Sequence, residues 1–91
     1  MIIVVPPEKR LANLEKHGID MAEFEAAFSW DRFIVLPAQP SRAGRVRHRL
    51  TGIMDGRLVT AVVSPLGSEA LAVVSVHPAG TKERRAYDAQ G

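Results

Sequence analysis

Apolar positions along the chain first follow a helical spacing and then, past about residue 30, an alternating one. The opening run Met1-Ile2-Ile3-Val4-Val5 is a short apolar strand, ended by Pro6 and Pro7. Pro7 and Glu8 then suit the first turn of a helix, where proline is accepted and a carboxylate meets the positive end of the dipole. Leu11 and Leu14, with His17, recur at helical spacing and predict a two-turn buried stripe. Lys16 and His17 fall in the last turn, where cations are favoured, and Gly18 supplies a left-handed end. Asp20 and Glu23 have capping-box spacing, and Met21, Phe24 and Phe28 mark the inner face of a second helix. The expectation is two short helices over residues 8–29.

The second half reads as strands. Residues 33–36 are a short apolar strand stopped by Pro37, and residues 37–44 form a loop rich in Pro, Ser and Gly. From Arg45 to Thr51 the chain alternates: Val46, His48 and Leu50 share one face, and Arg45, Arg47, Arg49 and Thr51 the other. Asp55-Gly56 is a hairpin signal, which Gly52 could lengthen. A strand over residues 58–63, a turn over 65–68 and a nearly all-apolar strand over 71–76 follow, the last expected to be central and covered on both faces. Pro78-Ala79-Gly80 ends the sheet, and Gly80 or Thr81 caps a final helix over residues 82–90. The order predicts an α+β layer architecture: a short N-terminal strand and two helices, an antiparallel meander of about four strands, and a C-terminal helix, with the helices packed on one face.

Composition narrows the function classes. With 91 residues the chain suits a single domain. The absence of cysteine removes disulfides, zinc–thiolate sites and thiol nucleophiles. No run approaches the roughly 20 apolar residues of a membrane helix, so a cytoplasmic protein with no membrane partner is expected. The net charge of +2 says little, but its distribution says more. Five of the twelve basic residues (Arg32, Arg42, Arg45, Arg47 and Arg49) lie between Asp31 and Asp55 with no acidic residue among them. Such a window attracts phosphate or an acidic partner, or is simply a solvated strand face.

His17, His48 and His77 lack the spacing of a helical metal pair, no glycine loop suits a phosphate cradle, and no serine sits in a nucleophile elbow, so neither metal nor cofactor is expected. RNA cleavage through the 2′-hydroxyl needs none of these. It requires a base, cations for the charged transition state and an acid for the leaving oxygen. Arg47 and Arg49 on one strand, His77 at the end of another, and Arg84 and Tyr87 on the final helix are groups of the right kind. Each has a plain structural alternative: Arg47 as a solvated strand residue, His77 in a local hydrogen bond, Glu83 and Arg84 as helix stabilisers, Tyr87 packing its ring on the sheet.

Two stretches carry a family likeness. Residues 7–19 (Pro-Glu-Lys-Arg-Leu-Ala-Asn-Leu-Glu-Lys-His-Gly-Ile), followed by the acidic segment ending Ala26-Ala27-Phe28, resemble the opening of BrnT-type toxins. Val73-Val74-Ser75-Val76-His77, leading to Glu83-Arg84 and Tyr87, is similar to the closing strand and Glu-Arg-x-x-Tyr helix of that family. Arg47 and Asp55-Gly56-Arg57-Leu58 fall where the family has its arginine strand and hairpin. The resemblance implies a RelE-like fold, a ribonuclease that inhibits translation, and a ribbon-helix-helix (BrnA-like) antitoxin that neutralises it and binds the shared operator DNA. Matched by position, it points to Lys16, His17, Arg47, Glu83, Arg84 and Tyr87; with the residue chemistry, His77, Arg47, Arg84 and Tyr87 become the candidate catalytic groups and Lys16, His17 and Arg49 the RNA-binding ones. The chain departs from the pattern at Val46, which replaces a glutamate, and at Ala72 and His77, which replace arginines. These losses motivate an alternative, a toxin-fold module that binds antitoxin or nucleic acid without catalysis.

Overall fold

The computed structural model describes residues 1–90. Its elements are β1 (Ile2–Val4), α1 (Pro7–His17), a 3-10 turn (Met21–Glu23), α2 (Phe24–Ala27), β2 (Phe28–Pro37), β3 (His48–Met54), β4 (Arg57–Leu66), β5 (Ala70–Pro78) and α3 (Thr81–Ala89). The strands form one sheet in the order β1-β5-β4-β3-β2. Strands β2 to β5 make the expected antiparallel meander, and β1 joins its end in parallel with β5.

The hairpin between β3 and β4 turns on two residues, Asp55 and Gly56, both with positive φ (51° and 77°), the twist a tight hairpin prefers. Gly52 does not lengthen it but stays within β3. A Cβ there would meet the ring of Phe28 at 2.8 Å, so the glycine makes room for an aromatic side chain. Phe28 itself is not helical: α2 stops at Ala27, and Phe28 opens a β2 that is longer than its apolar centre predicts. A register shift between Phe28 and Phe33 folds this strand into an aromatic cluster. Phe28 and Trp30 stack edge to face at 4.9 Å, and Phe24 lies 4.7 Å from Phe28. Met21, Phe24 and Phe28 close one face of the sheet over Leu50, Met54, Val59, Ala61, Val63, Val73 and Val76.

The strand of arginines begins later than its alternation predicts. Ser41 and Arg45 bond each other through backbone and hydroxyl, which keeps residues 41–45 in a closed loop, and pairing starts only at His48. Nor is β5 central. It pairs with β4 throughout but with β1 only over Ala70–Ala72, and β4 holds the middle of the sheet. A bulge at Val74 lets Val73 and Val76 both reach the core while Ser75 and His77 face the other side.

Helix α1 begins at Pro7 and ends on Gly18, whose φ is 69° and whose N–H reaches Leu14 O at 2.9 Å. Its inner face, however, is polar. Leu11 and Leu14 are 61% and 43% exposed, and the buried residue is Asn13. The cause lies in β5, whose outer edge beyond β1 leaves the backbone of Val76 without a strand partner. Asn13 supplies one: its Oδ1 accepts from Val76 N at 2.9 Å, and its Nδ2 donates to Val76 O and Ile19 O, each at 3.0 Å. This clip sets the rotation of the helix. Lys9, Lys16 and His17, at three- and four-residue steps from Asn13, line the groove against β5, while the leucines turn outward.

The helices also occupy both faces of the sheet rather than one. Helix α3 packs on β3 and β2 from the side opposite the aromatic core, over Thr51 and Thr60. Tyr87 is buried at that contact, with the Arg32 guanidinium 4.3 Å above its ring. The polar groups of this second face determine its packing.

Each buried polar group left without a partner costs about 1–3 kcal/mol. We therefore expect Asn13→Ala to lower the melting temperature by roughly 8 °C or more, whereas Leu14→Ser changes it little. Thermal unfolding of both variants checks this. A larger loss from Leu14→Ser would mean that the apolar stripe, not the clip, holds α1.

Candidate functional site

The second face of the sheet carries a ladder of polar side chains. Thr51 and Thr60 are opposite each other in register, and Thr60 is opposite His77. The hydroxyls of Thr51 and Thr60 lie 2.7 Å apart, and Thr60 donates on to Glu83 Oε1 at 2.8 Å. Glu83 reaches down from the first turn of α3, and the same Oε1 accepts from Gly80 N at 2.9 Å, which fixes the start of that helix. Its other oxygen accepts from Arg49 Nη1 at 2.8 Å. His77 Nε2 stands 3.7 Å from Oε1.

Glu83 is only 6% exposed. Burial by itself disfavours a carboxylate, but bonds from Gly80 N–H, the Thr60 hydroxyl and Arg49, with the charge of His77, outweigh it and hold the Glu83 pKa below its ordinary value. The group is thus an anion enclosed by donors, and it aligns Arg49 and His77 along one rim.

Arg49 is held at two points. Besides Glu83, its Nε donates to Pro37 O at 2.9 Å. It forms a partition between two hollows: one of about 390 Å³ bordered by His77, Pro78 and Lys82, and a cleft of about 710 Å³ walled by Pro37, Pro40 and Arg47. On the far side of His77 the groove under α1 brings in Lys16 and His17, with the His17 and His77 rings 5.7 Å apart. Partial burial, then the charges of His77 and Lys16, push the His17 pKa below its ordinary value of 6.5. The shift favours the neutral form of His17.

The structure brings together Lys16, His17, Arg47, Arg49 and His77 of the expected residues. It does not bring Arg84 or Tyr87 to the same place. Arg84 is exposed on α3 and borders neither hollow beside Arg49, and Tyr87 is buried beneath Arg32. Sequence reasoning matched Glu83 to the family pattern but left it out of the candidate catalytic and RNA-binding groups, with helix stabilisation as its plain alternative, and it gave no role to Thr51, Thr60 and Asn13. Two signals were available: Gly80 and Glu83 have cap spacing, and counting outward from Asp55-Gly56 sets Thr51 against Thr60. Among the described residues, no three His, Asp or Glu side chains are grouped so as to hold a metal ion.

Comparison with known proteins decides the family. Residues 6–83 match the ribonuclease toxin family BrnT of type II toxin–antitoxin systems. The chain belongs to the BrnT family. It also matches the 1.1 Å crystal structure of the Brucella abortus ribonuclease toxin, BrnT, at 31% identity and a TM-score of 0.70, over 89% of this chain and 99% of that one. No match is found among curated proteins. The family brings an antitoxin partner with it, and the expected α+β fold with N-terminal strand and C-terminal helix stands. No helix of the described residues is long and apolar enough to cross a membrane.

The Glu83 carboxylate contributes stability in one direction of pH. Because its pKa is lower in the folded than in the unfolded protein, the contribution is present above the unfolded value near 4.5 and is lost as pH falls through the folded one. Asp20, held at about 2 by its paired bonds to Arg10 (2.7 and 2.8 Å), acts in the same sense. Glu83→Gln should destabilise the fold by about 2 kcal/mol or more at neutral pH and reduce the decline of stability in acid. Urea unfolding at a series of pH values measures both effects, and the acid sensitivity that remains should disappear with Asp20→Asn.

Proposed function

We propose that this chain is a metal-independent endoribonuclease that inhibits translation in the cytoplasm and is neutralised by a ribbon-helix-helix antitoxin, through which alone it reaches operator DNA. One observation carries the catalytic reading: a single buried carboxylate, Glu83, positions a cation (Arg49) and an imidazole (His77) on an open rim facing a second, neutral imidazole (His17). These are the groups that RNA transesterification requires, and the family supports the activity.

In this reading RNA lies across the rim with its scissile phosphate at Arg49. His17, unprotonated at neutral pH, removes the 2′-hydroxyl proton, and the 2′-oxygen attacks the adjacent phosphorus. Arg49 and Lys16 stabilise the charge on the phosphorane-like transition state. As the bond to the 5′-oxygen breaks, His77 protonates that oxygen, leaving a 2′,3′-cyclic phosphate and a free 5′-hydroxyl. Glu83 touches no reacting atom. It orients His77 and Arg49 and balances their charge. Arg47 and Arg84 contribute phosphate binding at greater distance, and Tyr87 serves packing.

Induced expression in a bacterial host should arrest growth and degrade RNA. His77→Ala and Arg49→Ala should each slow cleavage of RNA by the purified protein by about 10²-fold or more. Undiminished cleavage in both variants, with the fold intact, would overturn the assignment. An intact wild-type fold with antitoxin binding but no cleavage would favour the non-catalytic module. Tyr87→Phe keeps the ring and should retain most activity; a loss as large as that of His77→Ala would restore Tyr87 to proton transfer.

The pH profile tests His17 separately. As a base it works unprotonated, so the rate should fall only as pH drops below the ordinary histidine value of 6.5, through its lowered pKa. His17→Asn should remove that acid limb as well as reduce the rate.

A further inference from the structure

The cleft beyond Arg49 is larger than a phosphate needs, and nothing in the cleavage step uses it. It is an open cleft of about 710 Å³, with room for a group the size of a nucleobase laid against its wall. We propose that this cleft seats the base of the nucleotide flanking the scissile phosphate, that the base is a purine, and that Gln39 reads its edge. The inference rests on the ribonuclease reading above and deepens it from RNA in general to a preferred sequence.

Arg49 borders both the cleft and the hollow beside His77. A guanidinium has five N–H donors, and two of them are committed, to Pro37 O and to Glu83. Three donors remain on a side chain that borders both spaces. A phosphate bound there leaves one neighbouring nucleotide on the His77 side and the other in the cleft.

Arg47 gives an independent pointer. Its Nε is buried and has no hydrogen-bond partner in the folded protein, yet the residue lines the cleft. Burial keeps that Nε itself from a ligand, but no bond ties the guanidinium down, so its other N–H groups are uncommitted and an acceptor in the cleft can take them up. Purines present such an acceptor at N7, and guanine adds O6 beside it. The guanidinium plane is also a stacking surface for an unpaired base.

The loop side of the cleft, residues 37–40, carries no charge, unlike the arginines opposite. Pro37 and Pro40 fix their own backbone angles, and the Arg49 bond to Pro37 O ties the start of the loop to β3. A preformed wall spares a ligand the cost of ordering it. Between the prolines stands Gln39, exposed and uncharged, with both a donor and an acceptor on its amide. Cations position a nucleic acid by its phosphates, whereas an amide pairs with a base edge, typically N6 and N7 of adenine.

The test is to map cleavage sites on a mixed-sequence synthetic RNA, and in parallel to measure binding of non-cleavable 2′-O-methyl oligonucleotides that differ only by purine or pyrimidine at one flanking position. The wild type should cut beside purines and bind the purine oligonucleotides more tightly. Gln39→Ala should reduce that preference about tenfold or more, and Leu11→Ser, on the outer face of α1, should leave it unchanged. Circular dichroism melting verifies the fold of each variant. Cleavage with a preference unaltered by Gln39→Ala, or with no purine preference, overturns this inference and leaves the ribonuclease reading intact. Purine-selective, Gln39-dependent binding without cleavage upholds the cleft and removes the catalysis. Absence of both binding and cleavage overturns both.

Discussion

The buried carboxylate of Glu83 is the constraint from which the second face of this protein follows. An anion placed under a helix and over a sheet is tolerated only if donors surround it. Here three donors supply it, the Gly80 N–H, the Thr60 hydroxyl and the Arg49 guanidinium, with the His77 ring 3.7 Å away as a nearby charge. Satisfying one group therefore joins α3 to β3, β4 and β5. It also determines which side of the sheet α3 occupies, because the opposite face is apolar and already filled by Met21, Phe24 and Phe28. The bond that holds Arg49 to this anion and the nearness of His77 to it set both groups along one rim.

Asn13 plays the corresponding part at the sheet edge. Strand β1 is too short to cover β5, and the uncovered peptide of Val76 lies next to His77. By bonding that peptide, Asn13 stops an edge from remaining open beside the site. The rotation it imposes on α1 brings Lys16 and His17 against β5. A helix placed by its leucines would turn those two residues elsewhere. Both halves of the candidate site thus rest on buried polar groups, not on hydrophobic burial, in a protein too small to reserve much apolar surface for positioning its loops.

This explains what was legible in the sequence. Periodicity located the strands, the Asp55-Gly56 turn and the Gly18 helix end, because these depend on local backbone preference. It misplaced the inner face of α1, since an asparagine that completes a distant strand leaves no trace in apolar spacing. It set all helices on one face because a buried glutamate reads as surface. It extended the second helix through Phe28 because an aromatic residue suits either element, and only the space above Gly52 decides between them. Of the candidate site, the cations and histidines were legible by chemical type. Arg84 and Tyr87, grouped with them on the family pattern, sit apart for different reasons: Arg84 follows Glu83 directly and so points to another, exposed side of α3, while Tyr87 shares the Glu83 face one turn on and packs beneath Arg32 of β2.

The three departures from the family pattern carry unequal weight once placed in the fold. Ala72 pairs with Val4 and Ser64 at the β1 end of β5, about 17 Å along the strand from His77. A charge missing there does not bear on chemistry at the other end. Val46 is exposed just outside β3, and the Ser64 hydroxyl bonds its carbonyl. A glutamate absent at that position leaves a carboxylate still present at the site, from Glu83. Only His77 lies on the rim with Arg49 and His17. There the exchange of an arginine for a histidine substitutes a group that can give and take a proton near neutral pH for one that is permanently charged. With Arg49 beside it, the rim keeps one fixed positive charge and carries an imidazole where the family pattern has a second.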